Sequence, residues 1–211
     1  IDVYETASGD RIADDLSFQE ATAFQSLTFR DGTPDISLAP GNSTDTADAF
    51  ASFTLPQLQD GVQYIVAANG ILPGNSSDYE DFERFELVVK PMARQAANSS
   101  GNTDVIVQHG APDAPPVDVF ETGEGAGQLL DALAFGSFTD NYLELPIDGY
   151  ELAVRPDGSG KAVARFDAPL GRLGLADSAI TLFASGFLDP ANNQGGPEFG
   201  ILAALADGTV I

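Results

Sequence analysis

The stretch that decides the fold is the hexapeptide IDVYET at residues 1–6, because a near copy, VDVFET, returns at residues 117–122. Every position is identical or conservatively replaced. Apolar and polar residues alternate in both copies, as expected of a strand with one face on a core. Two copies so far apart in a chain of 211 residues indicate an internal duplication.

Further matches follow in the same order in both halves. They pair residues 16–18 with 133–135, the Asp-Gly dipeptides at 31–32 and 148–149, residues 64–70 with 181–186, and residues 85–88 with 199–202. We therefore predict two homologous domains, residues 1–97 and 104–211. Residues 98–103 lie in a small, polar stretch without apolar periodicity, which predicts a linker.

Short, mostly alternating segments separated by turn signals predict strands. The clearest are residues 105–107, 117–120, 142–145, 150–154 and 180–183. Turns are indicated at Asp148-Gly149, at residues 156–158 and at Asp207-Gly208. Residues 129–135 fit either a helical turn or a strand. The pattern predicts an all-β fold of two tandem, immunoglobulin-like β-sandwich domains.

The two halves differ at their beginnings. A strand at residues 105–108 precedes the second copy, whereas the first copy starts at Ile1 without an equivalent. A sandwich that lacks this strand has an unpaired edge, which can accept a strand from another chain. Two explanations stay open: the sequence is truncated, or another chain supplies the strand.

Five residues are predicted to mark such a strand exchange. Ile1 and Val3 would border the open edge, while Val105, Ile106 and Val107 show what an incoming strand should resemble. The sequence does not identify the donor, for which the C-terminal residues and an N-terminal extension are both candidates.

The charge balance restricts the partners. Thirty-two acidic residues face nine basic ones, for a formal net charge of −23. Such a chain repels phosphate groups, so nucleic acid and anionic membrane surfaces are not expected partners. No apolar run is long enough to predict membrane insertion. Acid-rich, lysine-poor surfaces suit a salty medium, where self-repulsion is screened.

Two features favour an extracellular or cell-surface location. The sequence begins at Ile1 and its one methionine is Met92, so either a leader has been removed or the sequence is incomplete. Three glycosylation sequons begin at Asn42, Asn75 and Asn98, all in polar stretches. The absence of cysteine excludes a disulfide framework.

The sequence offers few candidates for chemistry. His109 is the one histidine and no Gly-x-Ser-x-Gly elbow accompanies it, so we expect it to bond its own loop. Asp113 is expected to cap a turn, whereas Asp2 and Asp118 alternate with apolar residues and should face away from the core.

Calcium is the metal for which the sequence offers a candidate site. The acidic residues concerned are Asp78, Glu80, Asp81 and Glu83. Calcium favours carboxylates on loops, but the spacing is not that of an EF-hand, and a solvated acidic loop is the other interpretation. No other cofactor is predicted.

The segment HGAPDAPPVDVF at residues 109–120 resembles the opening motif of the DUF4397 family, roughly H-x-x-P-D-A-P-x-V-D-V-Y. Residues 133–136, 142–146 and 149–152 are also similar to it. The first half matches more loosely, since it lacks the His-and-Pro opening. The resemblance implies an all-β domain, often in tandem, in exported or surface proteins of bacteria and archaea, without an established catalytic activity.

These observations predict a non-catalytic structural or adhesive protein of the cell surface or extracellular matrix. Its partners would be further copies of itself, joined into filaments by β-strand complementation, or other surface proteins. The alternative is a glycan- or calcium-binding module of a larger surface protein. An enzyme is not predicted, because no catalytic constellation is present in the sequence.

Overall fold

The computed structural model describes residues 1–29, 32–71 and 85–211, and the chain divides into two compact units. The first comprises Ile1–Ala93 with Asp207–Val210, and the second comprises Arg94–Ala206 with Ile211. Strands make up 44% and helices 3% of the structure, so the predicted all-β, sandwich-like fold is confirmed. Residues 98–103 lie in the second unit, and its first strand begins at Asn102.

The first unit contains two antiparallel sheets. Its strands are β1 (Asp2–Glu5), β2 (Arg11–Ala13), β3 (Asp35–Ala39), β4 (Ala51–Thr54), β5 (Tyr64–Asn69) and β6 (Glu86–Pro91). The larger sheet has the order β2-β1-β3-β4, and the smaller one consists of β5 and β6. A 3₁₀ turn, Thr46–Asp48, connects β3 to β4.

The second unit contains two sheets of four strands each. Its strands are β7 (Asn102–Gly110), β8 (Val117–Glu121), β9 (Gly127–Leu133), β10 (Leu143–Pro146), β11 (Gly149–Pro156), β12 (Ala164–Pro169), β13 (Ala179–Ser185) and β14 (Gly200–Leu205). The sheet orders are β9-β8-β11-β12 and β10-β7-β13-β14. All strand pairs are antiparallel except β7 with β13, which run parallel. A 3₁₀ turn, Pro190–Asn192, follows β13.

The larger sheet of the first unit repeats a sheet of the second unit strand for strand, since β2-β1-β3-β4 corresponds to β9-β8-β11-β12. The registers also correspond: Glu5 lies opposite Ile36 as Glu121 lies opposite Leu152. The repeat detected in the sequence is therefore a repeat of strand order and register.

An aromatic pair recurs at the same place in both units. Phe53 of β4 lies 5.6 Å from Phe85, just before β6, and Phe166 of β12 lies 6.1 Å from Phe199, just before β14. Both pairs are tilted, a favourable geometry for aromatic rings. Each pair joins the two sheets of its unit, which makes each unit a sandwich.

The cores lie between the sheets, but they differ in extent. In the second unit both sheets contribute buried residues, which are Val105, Val107, Val117, Leu133, Val154, Leu170, Leu175, Ile180 and Ala203. In the described part of the first unit the buried cluster consists of Ile36, Leu38 and Leu55. Leu87 and Val89 of the small sheet pack against that cluster but are only partly buried.

Asp2 and Asp118 alternate with residues that pack against the cores, so both face away from the cores, but both are nevertheless buried. Asp2 accepts the backbone N–H of Asp15 at 2.9 Å, and Asp118 accepts that of Ala132 at 2.9 Å. Asp15 and Ala132 both have positive φ angles, of 51° and 47°. Left-handed backbone is uncommon outside glycine, so each carboxylate holds a strained position near the end of the second strand of its repeat.

Candidate functional site

The clearest difference between the two units is the hydrogen bonding of two corresponding strands, β5 and β13. β13 is paired on both edges, with β14 on one side and β7 on the other. β5 is paired with β6 in the same register, since Tyr64 lies opposite Pro91 as Ile180 lies opposite Leu205. Among the residues that the structure describes, none forms a strand pair with the other edge of β5. Unpaired N–H and C=O groups along an edge are a template for another strand.

An apolar side chain lies exposed beside this edge. Val66 of β5 is directly opposite Val89, which packs against the first core, so both side chains share the core-facing side of the sheet. Val66 is nevertheless 45% exposed. Its counterpart by register is Leu182, which lies opposite Val107 of β7 and packs against the second core. Val66 is exposed because no described strand takes the place of β7 beside it.

Val105, Ile106 and Val107 lie in β7, the inner strand that fills the corresponding place in the second unit. β7 is bonded to β13 and to β10, and Val105 lies opposite both Ile180 and Leu143. Ile106 is fully buried, and Val105 and Val107 belong to the core. These residues are therefore not an exposed interface of the second unit. They show which side chains occupy the position beside β13 that corresponds to the unpaired edge of β5.

The open edge does not lie where it was predicted, next to Ile1 and Val3. β1 is an inner strand of the larger sheet, with β2 on one side and β3 on the other, so it presents no edge. Ile1 and Val3 pack against the core of the first unit, as Val117 and Val119 do in the second. Their side chains therefore pack against the same buried cluster as Val89 of the small sheet.

The C-terminal residues are engaged within the chain and are not a free donor. Residues 203–205 belong to β14, and Ala203 exchanges two backbone hydrogen bonds of 2.9 Å with Ile211. Gly208 lies against residues 21–23 so closely that a Cβ atom there would come within 2.7 Å of the Ala23 nitrogen. This segment would have to detach before it could pair with another strand.

The start of β7 is fixed by an ionic contact that the sequence did not reveal. The buried Asp104 accepts hydrogen bonds from Arg94 at 2.5 Å and from the Asn98 backbone N–H at 2.8 Å. Arg94 also donates to Glu144 of β10 at 2.8 Å and lies 4.7 Å from the centre of the Tyr142 ring. The hydrogen bonds to Glu144 and Asp104 raise the pKa of Arg94. The scarcity of basic residues in so acidic a chain is the signal that could have drawn attention to Arg94.

His109 follows in the same strand and serves a structural role. Its Nε2 donates to the Pro115 carbonyl at 3.1 Å, and its Nδ1 accepts the Ala111 N–H at 3.3 Å. Burial lowers the pKa of His109, which keeps the ring neutral. Asp113 in the same loop accepts the N–H groups of Leu188 and Asp189, both at 2.8 Å. The loop between β7 and β8 is thus held by hydrogen bonds formed by the side chains of His109 and Asp113.

The remaining predicted sites are only partly within the described residues. The calcium candidates Asp78, Glu80, Asp81 and Glu83 and the sequon at Asn75 lie outside them. Asn42 and Asn98 are exposed. Across residues 1–29, 32–71 and 85–211, no group of three or more acidic or histidine side chains is arranged to hold a metal ion. The same ranges contain no helix with the length and apolar character to cross a membrane.

Comparison with protein-family models found none that matches the chain, and comparison with curated proteins also found no match. The resemblance to the DUF4397 family therefore stays a prediction. The function has to be argued from the site itself.

Proposed function

We propose that this protein is a non-catalytic structural or adhesive component of the cell surface or extracellular matrix, and that its copies join by β-strand complementation. In this arrangement the first unit of one copy receives an extended strand from another copy. The strand lies along the free edge of β5 and completes the small sheet. Repetition of this contact from copy to copy builds a filament.

The observation that carries the proposal is the exposure of Val66 on the core-facing side of a strand whose one edge is unpaired within residues 1–29, 32–71 and 85–211. Main-chain groups on such an edge supply hydrogen bonds to an added strand, and the side-chain places along it supply specificity. Covering an apolar side chain stabilises the contact by about 25 cal/mol for each Å² of apolar surface that is removed from water. The same contact therefore combines backbone pairing with completion of a core.

The charge of the chain sets the conditions under which copies can associate. Two copies with a net charge of −23 each repel one another at low ionic strength. Salt shortens the Debye length from about 10 Å at 0.1 M to about 3 Å at 1 M. Assembly through an uncharged edge and an apolar side chain should therefore strengthen as salt is added.

Light scattering and electron microscopy of the full chain over a range of protein concentrations test the proposal. We expect oligomers whose size increases with concentration and with salt, and filaments of regular repeat at the highest concentrations. A chain that stays monomeric from 0.1 to 1 M salt at every concentration would overturn the proposal.

A matched variant shows whether the β5 edge is the contact. Residues 102–116, which carry β7 and its connection to β8, are placed directly before Ile1 so that the first unit receives its own copy of the strand. We expect this variant to be monomeric and its first unit to be more stable than that of the original chain. Assembly that persists unchanged in the variant would mean that copies associate through another surface.

A further inference from the structure

We infer that the incoming strand runs parallel to β5, in the register that β7 takes beside β13, and that it draws residues 27–29 into the sheet on its other side. This inference rests on the proposed function and specifies the direction, register and chemistry of the donor strand. The small sheet would then change from two strands to four.

The direction and register follow from the correspondence of the small-sheet strands. β5 and β13 are bonded to their antiparallel neighbours in the same register, so their free and occupied edges are equivalent. β7 runs parallel to β13, with Val105 opposite Ile180 and Gly110 opposite Ser185. When the donor strand takes this register beside β5, its residue equivalent to Val105 lies opposite Tyr64. Its residue equivalent to Gly110 lies opposite Asn69.

The side chains that the donor must carry follow from the same register. The place of Val107 falls opposite Val66, the exposed core-facing residue of β5. The place of Val105 falls two residues earlier, on the same face. Val105 and Val107 are both buried in the second core. We therefore assign the donor two apolar residues in alternation, whose side chains enter the core lined by Ile1 and Val3.

The other edge of the donor strand would pair with a segment of the first unit that has no strand partner in the described structure. Leu27 and Phe29 stand at the same distance before Ile36 as Leu143 and Leu145 of β10 stand before Leu152.

In the second unit, β10 pairs antiparallel with β7, and Leu143 and Leu145 pack against the core. In the first unit, residues 21–29 form no strand, and Leu27 is 44% exposed. Residues 27–29 thus correspond to β10, but the described residues of the first unit contain no counterpart of β7 with which they could pair. A donor strand supplies that partner, so its arrival should order the segment and bury Leu27.

The test uses the isotopically labelled full chain and a synthetic peptide with the sequence of β7, NTDVIVQHG, residues 102–110. Amide hydrogen exchange is measured with and without the peptide, and a spin label at the peptide C-terminus reports its direction. We expect slower exchange in β5 and in residues 27–29, and line broadening at Asn69 rather than at Tyr64. Broadening at Tyr64, or unchanged exchange in residues 27–29, would overturn the inference.

Variants of the acceptor separate this result from the assembly assay. Val66→Asp should weaken peptide binding at least tenfold, because it places a charge where the donor buries an apolar side chain. Val163→Asp, at an exposed valine of the second unit, should leave binding unchanged. No binding, or equal binding by Val66→Asp, contradicts the assigned register. Assembly of the chain by itself, measured by light scattering, would still stand in that case, so the two failures are distinguishable.

Discussion

The two units are built on the same larger sheet, but they differ in how far their smaller sheet is completed. In the second unit the smaller sheet has four strands, and β7 lies inside it with its apolar residues buried. In the first unit only β5 and β6 are paired with each other in the described residues. The comparison indicates that an inner strand in the position of β7 both pairs with the neighbouring strand, β13 or β5, and covers the core side chains beside it.

The largest expected effect is the loss of a buried side chain from β7. Ile106→Ala removes methyl groups from a fully buried position and should lower the free energy of unfolding of the second unit by about 3 kcal/mol. Calorimetry together with amide exchange can assign the loss to one unit. A loss below about 1 kcal/mol would show that β7 is not a central element of that sandwich.

A matched pair of truncations compares the two corresponding strands directly. Leu182→Ala in β13 should lower the free energy of unfolding by about 2 kcal/mol. Leu182 lies opposite Val107 of β7 and packs against the core of the second unit. Val66→Ala in β5 should cost only about 0.5 kcal/mol, because nearly half of that side chain is exposed. Equal costs, measured by denaturant unfolding of the monomer, would mean that the two strands have equivalent surroundings.

A smaller effect is expected at the ionic contact that fixes the start of β7. Arg94→Gln leaves the buried Asp104 carboxylate without its cation and should cost about 1 kcal/mol. The expected loss of stability is smaller than for a fully buried ion pair, because the side chain of Arg94 is about one third exposed. Arg172→Gln, at an exposed position, is the matched control and should have no measurable effect. A neutral result for Arg94→Gln would show that the contact does not stabilise β7.

An effect of pH on the free energy of unfolding should appear in the second unit alone. Burial lowers the pKa of His109 below its unfolded value of about 6.5, so the unfolded state binds the proton first as the pH falls. The stability of the second unit should therefore decrease from pH 7.5 to 5.5, by at most about 1.4 kcal/mol per pH unit. His109→Gln should flatten this dependence. The first unit contains no histidine and serves as the internal control.

Much of the fold could be predicted because short matching segments in the two halves of the sequence reveal the duplication. The alternation in residues 117–120 and 180–183 predicted β8 and β13, and the matched segments at residues 85–88 and 199–202 predicted the equivalence of β6 and β14. Residues 129–135, left open between helix and strand, belong largely to β9.

The candidate site was harder to predict, because strand order within a sheet is a non-local property. The pairing of β7 with β13 joins Val105 to Ile180, far apart in the chain and parallel, and no turn signal connects them. The comparison of the two halves predicted that the first half of the given sequence has no counterpart of residues 105–108, but it did not identify the edge that is unpaired among the described residues. The edge was therefore expected at Ile1 and Val3, whereas the structure presents it on β5.

The most direct test of the difference between the two units is amide hydrogen exchange in the dilute, monomeric full chain, resolved for β5 and β13. We predict slow exchange throughout β13, which is bonded on both edges, and fast exchange at those amides of β5 that point away from β6. Amides of β5 that exchange as slowly as those of β13 would show that the β5 edge is already covered within one copy. That result would contradict strand complementation between copies.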